Sequence, residues 1–305
     1  MGSLIDNFGN IVDDLASRDP EKAKNLLVTG YRFERLRLKT IANKGLPPFR
    51  KYLPSLMMDN IINSLNNSKK SAMVSIFVPC EPLAAMGIIP YSLEGLSSYI
   101  TGTNMHGGCL EECKKKGFPE TLCSYHRVYI GAAERQLMPK PPFIIYSNLA
   151  CDANQITFKY LAEKFSIPSF YIDVPYNQNH ESVLYVALQL RKMVNFIETC
   201  TGQKMSEEAF AKAMKRSKNT IDNYKDYLYN QKTKYVKGDI TSEMYMAVTN
   251  HILLGTKEQE NLSKMCLENI DAAPNNKGLK LLWVHTIPFW QEPLRNLFNF
   301  NESEF

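Results

Sequence analysis

At 305 residues the chain is long for one compact core and leaves room for two domains; with 44% apolar and 22% charged side chains it has a globular make-up. The formal net charge of +5, from 36 basic over 31 acidic side chains, is spread without a basic block or aromatic–basic interleaving, which argues against nucleic acid as a partner. No run approaches the roughly 18–20 apolar residues that span a bilayer, and the acidic start MGSLIDNFGNIVDDLASRDPEKAK has neither the basic head nor the apolar centre of a secretory leader, so a cytoplasmic location without membrane attachment is expected.

Residues 1–70 read as a helical lead-in. Leu15, Leu26, Leu27 and Tyr31 fall near helical spacing, Gly45 and Pro47–Pro48 break the pattern, and a further helix is predicted over Lys51–Leu65. An α/β region follows over 71–180. Ser71–Pro79 (SAMVSIFVP) has the short apolar, partly β-branched character of a buried strand, Glu81–Gly87 that of a short helix closed by glycine, and Ile88–Leu93 that of a second strand. Phe143–Ser147 (FIIYS) predicts a third strand and Ile167–Val174 (IPSFYIDV) a fourth. Between them runs a helix that opens at Cys151-Asp152, with Asp152 as its N-cap and with Ile156, Tyr160 and Leu161 buried. Strand, helix and strand within about 30 residues make a βαβ unit, so a parallel sheet with right-handed crossovers is expected.

A helical linker region is predicted over 181–277. It runs from Ser182 to about Gln231, is interrupted at Thr201-Gly202, restarts at Ser206 ahead of Glu207-Glu208, and continues with a helix over Thr241–His251. Leu279–His285 (LKLLWVH) then reads as a new buried strand, so 278–305 is the start of a second α/β domain that does not develop before residue 305.

Seven cysteines, an odd number, in a reducing compartment serve as metal ligands, reactive thiols or core fillers rather than as disulfides. Cys200 and Cys266 lie in apolar helical patterns and read as core residues. Cys151 stands past the carboxyl end of a strand and at the start of a helix, where open α/β sheets place their ligands and where a helix N-terminus favours a thiolate. Cys123 opens another predicted helix. Two such sulfurs meeting at one sheet edge suit an iron–sulfur cluster. Zinc held by Cys109, Cys113 and Cys123, with His106 or His126 as the fourth ligand, is the competing reading, although C-x3-C-x9-C is no standard finger spacing.

Several segments carry a family resemblance. VPCEPLAAMGIIPYSL resembles the P-x-E-(L/I)-x-x-A-x-G-x-x-P segment of the 2-hydroxyacyl-CoA dehydratase and benzoyl-CoA reductase family, departing from it at Pro82. GFPETLCSYHR and FIIYSNLACDANQ resemble its two cluster-cysteine segments, IPSFYIDVPYN the following strand, the stretch from Val183 to Tyr224 its linker helices, and LKLLWVHTIPFW the opening strand of its second domain.

The resemblance implies two stacked flavodoxin-like α/β domains and a [4Fe–4S] cluster, with a double-cubane [8Fe–9S] cluster as the variant form. It implies a homologous dehydratase subunit as heterodimer partner, an ATP-dependent iron–sulfur activator protein, and an acyl-CoA substrate that loses water through a ketyl radical. It places Cys123 and Cys151 on the metal ligands and Asn148 beside the cofactor. It puts Glu81 and Ser124 in the catalytic group, while His126 and Arg127 would face an anionic group. The family's third cysteine ligand belongs to the second domain, so either the chain is a fragment or Cys109, Cys113 or a partner completes the set. The alternatives are a double-cubane or benzoyl-CoA-reductase-type reductase subunit, or a non-catalytic cluster-binding remnant that pairs with a full-length partner.

Overall fold

The computed structural model describes residues 2–40, 46–236 and 240–275, so the strand expected at Leu279–His285 and the second-domain start at 278–305 lie outside the described residues. The lead-in consists of α1 (Gly2–Ala16), α2 (Pro20–Thr40) and α3 (Pro48–Asn66). Asp19 starts α2 by accepting the Lys22 N–H at 3.1 Å, and proline, which lacks the N–H a first helical residue leaves unpaired anyway, occupies the first position of both α2 and α3.

α3 is apolar nearly all round, which marks a helix buried on more than one side. Met58, Ile61, Ile62 and Leu65 enter one core with Tyr31 of α2, while Phe49, Leu53, Leu56 and Met57 enter a second core.

The sheet follows. Its elements are β1 (Ser71–Val74), α4 (Glu81–Ala85), β2 (Ile89–Ser92), α5 (Leu93–Gly102), α6 (His106–Lys115), α7 (Ser124–Glu134), β3 (Ile144–Ser147), α8 (Ala153–Phe165) and β4 (Ser169–Ile172). All four strands are parallel, in the order β2-β1-β3-β4, with Val74 opposite Ser92 and Ile145, and Ser147 opposite Ile172. This is the flavodoxin-like order, in which the chain reverses direction across the sheet between β1 and β3 and opens a crevice beyond their carboxyl ends.

Both faces are covered, as a parallel sheet requires. Alternation along β1 and β3 sends Met73, Ile144 and Tyr146 into the core under α5–α8, and Ala72, Val74 and Ile145 into the core under α4 and α9 (His180–Thr201). Met193 and Ile197 of α9 close that second face. Truncating a fully buried leucine such as Leu96 or Leu161 to alanine costs about 2–5 kcal/mol in such a core.

The linker helices are α9, α10 (Glu207–Asn230), α11 (Ile240–Ile252) and α12 (Lys257–Asp271). Gly202, at φ +69°, ends α9 in the left-handed region that only glycine enters cheaply, and Ser206 caps α10 by accepting the Ala209 N–H at 3.3 Å. Tyr227, Met246, Ile252, Leu262 and Cys266 of α10–α12 share one core with Phe49 and Leu53 of α3, so the lead-in and the linker bundle are built against each other. No described helix is long and apolar enough to cross a membrane.

Two elements depart from the sequence reading. α5 and α6 fill a stretch for which no element is predicted. Ile156, expected in the core, is 60% exposed, because α8 turns Thr157 and Phe158 inward instead, alongside Leu161, which is buried as expected.

Candidate functional site

The crevice at the carboxyl ends of β1 and β3 is lined by the turns that open α5, α7 and α8. After β3 the chain passes through Ala150, held at φ +64°, a conformation that costs a non-glycine residue about 1 kcal/mol or more. That turn delivers Cys151 to the head of α8, its N–H donating to the Asn148 carbonyl at 3.3 Å. Asp152 occupies the N-cap position but caps no N–H with its side chain; the Asn154 N–H donates to the Cys151 carbonyl at 3.2 Å instead.

Asn148 ties the turn down. Its Nδ2 donates to Asp173 Oδ1 at 3.2 Å and to the Val174 carbonyl at 3.0 Å, and its Oδ1 accepts the Val174 N–H at 2.8 Å, so both ends of the amide bridge to the chain beyond β4.

Cys123 occupies the N-cap of α7 and is exposed, with Ser124 exposed beside it on the first turn. It lies close enough to Cys151 for their charges to oppose one another. Burial raises the Cys151 thiol above its ordinary value, the Ala153 and Asn154 N–H groups pull it down, and the charges of Cys123 and Glu94 raise it again.

His126, one turn into α7, points inward rather than toward an anionic ligand. It is buried, its Nε2 is 3.4 Å from Cys151 Sγ, and its Nδ1 meets Tyr129 Oη at 2.6 Å and Thr157 Oγ1 at 2.8 Å. Burial lowers its pKa to about 4, so the ring is neutral at pH 7. Arg127 turns the other way, toward Cys113 and Glu120.

Glu94 is a member of this site that the sequence reading does not single out. Its carboxylate accepts the Ile76 N–H at 3.2 Å and the Ser92 hydroxyl at 2.9 Å, burial raises its pKa, and its charge reaches Cys151, Tyr125 and Tyr129. No motif marks it; the one available cue is its place two residues past β2, at the ligand-binding edge of a parallel sheet.

The structure does not bring Glu81 into this crevice. Glu81 opens α4 on the opposite face of the sheet, where it accepts the Ser217 hydroxyl of α10 at 2.7 Å and borders an apolar cavity of about 680 Å³ between α4, α9 and α10.

The remaining cysteines are core residues. Cys109 and Cys113 are fully buried where α6 crosses α7, and burial pushes their thiols up to about 12 and about 11. That crossing is close: a Cβ at Gly131 would stand 1.8 Å from the Cys109 carbonyl oxygen. Cys109 and Cys113 thus pack as core residues, whereas Cys123 is exposed. Cys80 and Cys266 are buried and Cys200 is half-buried against the α9 core. Among the described residues no group of three or more His, Cys, Asp and Glu side chains is arranged to hold a metal ion.

Comparison with known proteins gives the site its context. The chain is 24% identical over 205 residues to the (R)-phenyllactyl-CoA dehydratase alpha subunit of Clostridium sporogenes, a match covering 63% of this chain and 50% of that protein. It is 27% identical over 173 residues to subunit alpha of the (R)-2-hydroxyglutaryl-CoA dehydratase of Acidaminococcus fermentans, covering 53% and 36% respectively. The chain therefore spans half or less of the length of these curated relatives. The family model described as 2-hydroxyglutaryl-CoA dehydratase, D-component, matches residues 75–303, from the loop after β1 through the whole of the described site. On that match the chain belongs to the 2-hydroxyglutaryl-CoA dehydratase D-component family.

Proposed function

We propose that the chain is a subunit of an iron–sulfur 2-hydroxyacyl-CoA dehydratase-type enzyme in which Cys123 and Cys151 are two thiolate ligands of a [4Fe–4S] cluster. The observation that carries the reading is the pairing of these two cysteines at the heads of α7 and α8, within mutual electrostatic reach, in a chain of the dehydratase family. The donor set fits the group. Thiolates are the ligands iron–sulfur clusters take, and His126 Nε2, 3.4 Å from Cys151 Sγ, stands where a hydrogen bond to such a ligand forms. With Cys109 and Cys113 in the core, further ligands come from outside the described residues.

Cys123 and Cys151 would hold the cluster, which would supply one-electron chemistry to the thioester for a net loss of water. The electron comes from an ATP-hydrolysing iron–sulfur activator, and a homologous subunit completes the heterodimer.

The chain's own residues hold and move protons around that event. Burial raises the pKa of the Glu94 carboxyl above the usual glutamate range, which favours it as the proton donor to the departing hydroxyl. Ser124, exposed beside Cys123, offers a hydroxyl to the thioester oxygen as charge develops there. Asn148 acts on the cofactor indirectly, by fixing the turn that carries Cys151. Glu81 anchors α10 through Ser217, and we assign it no proton transfer.

The test is iron and acid-labile sulfide analysis of anaerobically purified and reconstituted protein. About four irons per chain are expected, with loss of iron in Cys123→Ser and in Cys151→Ser. About eight would transfer the assignment to a double-cubane reductase. Iron-free wild-type protein, or full iron in Cys123→Ser, would overturn the reading.

A further inference from the structure

We infer that His126 is a fixed hydrogen-bond donor to the Cys151 sulfur, with Tyr129 deciding which ring nitrogen carries the proton. The hydrogen bond stands on geometry alone; its redox consequence rests on the reading of Cys151 as a cluster ligand.

The argument begins at Tyr129, which is fully buried one turn after His126 on α7, its ring 5.0 Å from the imidazole between centroids. Among the described residues its phenol meets one hydrogen-bonding group, His126 Nδ1 at 2.6 Å. A buried O–H without an acceptor costs about 1–3 kcal/mol, so the phenol proton points at that nitrogen, which must then present its lone pair. Thr157, reaching across from α8 to 2.8 Å, converges on the same atom.

A neutral imidazole carries one proton. With Nδ1 accepting, that proton sits on Nε2. Nε2 in turn faces Cys151 Sγ at 3.4 Å, an N–H···S distance. The imidazole thus brings an N–H from α7 to the sulfur that stands at the head of α8. His126 joins the two helices that present the candidate ligands, and it is a positioning residue: it acts through Cys151. Hydrogen bonds to a ligand sulfur stabilise the more negative, reduced state of a cluster, so removing this one lowers the reduction potential.

The experiment uses the full chain labelled with 15N-histidine, cluster-free and under reducing conditions. Long-range 1H–15N correlation distinguishes the two tautomers, and His126 is identified among the five histidines by the signal lost in His126→Gln. The expected result is an Nε2–H tautomer near neutral pH, a mixed tautomer in Tyr129→Phe, and a displaced Nε2–H signal in Cys151→Ala. On iron-loaded protein, dye-mediated potentiometry is expected to give a lower midpoint potential for His126→Leu, with partial recovery in His126→Gln, whose amide keeps an N–H.

An Nδ1–H tautomer in the wild type, a His126 signal indifferent to Cys151→Ala, or an unchanged potential in His126→Leu overturns the inference. Should the wild type bind no iron, the cluster assignment falls, while the tautomer and its response to Cys151→Ala still decide the hydrogen bond.

Discussion

Gly131→Ala is a substitution for which helix propensity and packing predict opposite signs. In the interior of α7, alanine is favoured over glycine by about 0.8–1 kcal/mol on propensity alone. The structure reverses this. A Cβ at position 131 would lie 1.8 Å from the carbonyl oxygen, 2.5 Å from the carbonyl carbon and 2.7 Å from the Cα of Cys109, all backbone atoms of α6. No rotamer relieves a clash with backbone, so α6 and α7 must part by roughly 1.5 Å to restore ordinary van der Waals separation. Overpacking of this kind costs about 1–3 kcal/mol and at times more, and here the gap also unpacks Cys109, Ile130 and Ala133. Set against the propensity gain, the net expectation is a loss of about 1–2 kcal/mol, read as a lowered urea midpoint. Gly107→Ala, on α6 where nothing lies within 4 Å of the added carbon, is the control and should be neutral or gain a few tenths of a kcal/mol. A Gly131→Ala midpoint equal to or above the wild type would refute the close helix crossing. The same displacement moves Cys123 relative to Cys151, so the variant should also lose iron.

Other outcomes follow from the same geometry. Asn148→Ala removes three hydrogen bonds between the Cys151 turn and the chain beyond β4, and should cost about 1–2 kcal/mol in denaturant melts and speed alkylation of Cys151. Glu134 is nearly buried; burial alone would raise its pKa, but hydrogen bonds from Lys116, Lys164 and Tyr160 outweigh that and hold it at about 2, below its ordinary 4.5. Its contribution is therefore present above pH 4.5 and lost as pH falls toward 2, on the order of 3 kcal/mol at most; Glu134→Gln should flatten stability across that window in acid-titrated melts. Glu243→Ala takes a carboxylate from buried Arg50, which also meets Tyr227 Oη at 3.1 Å and the Phe49 ring, and should cost about 2 kcal/mol because Glu243 is itself partly exposed. Thermal melts with and without the substitution measure it.

The strands were legible because four short apolar runs stand between glycine, proline and polar breaks, and each becomes a strand of one parallel sheet. α5 and α6 were not. LEGLSSYITG and HGGCLEECKK carry small residues and a Gly107-Gly108 pair that local propensity assigns to a loop, whereas packing uses Gly108 to admit the Arg135–Asp13 ion pair. Ile156 is exposed because one helical turn offers apolar residues on adjacent faces, and only the direction of β3 and β4 selects Phe158 over it, while Leu161 is legible as core. Cys123 and Cys151 could be read from the helix starts they occupy. The inward aim of His126 and the burial of Glu94 could not, since both depend on the approach of α7 and of the β1 loop across the sheet edge.

α3 has a bearing on how this molecule can be cut. Because its opposite sides line two interiors, one with Tyr31 and the sheet helices and one with Tyr227, Ile252 and Leu262, it works as a common beam between storeys of the building. The dehydratase-family segment begins at residue 75, after that beam. A shortened clone started there would strip Phe49, Leu53 and Met57 from α10–α12 and should yield an aggregating product, so the smallest unit worth expressing reaches back at least to Pro48.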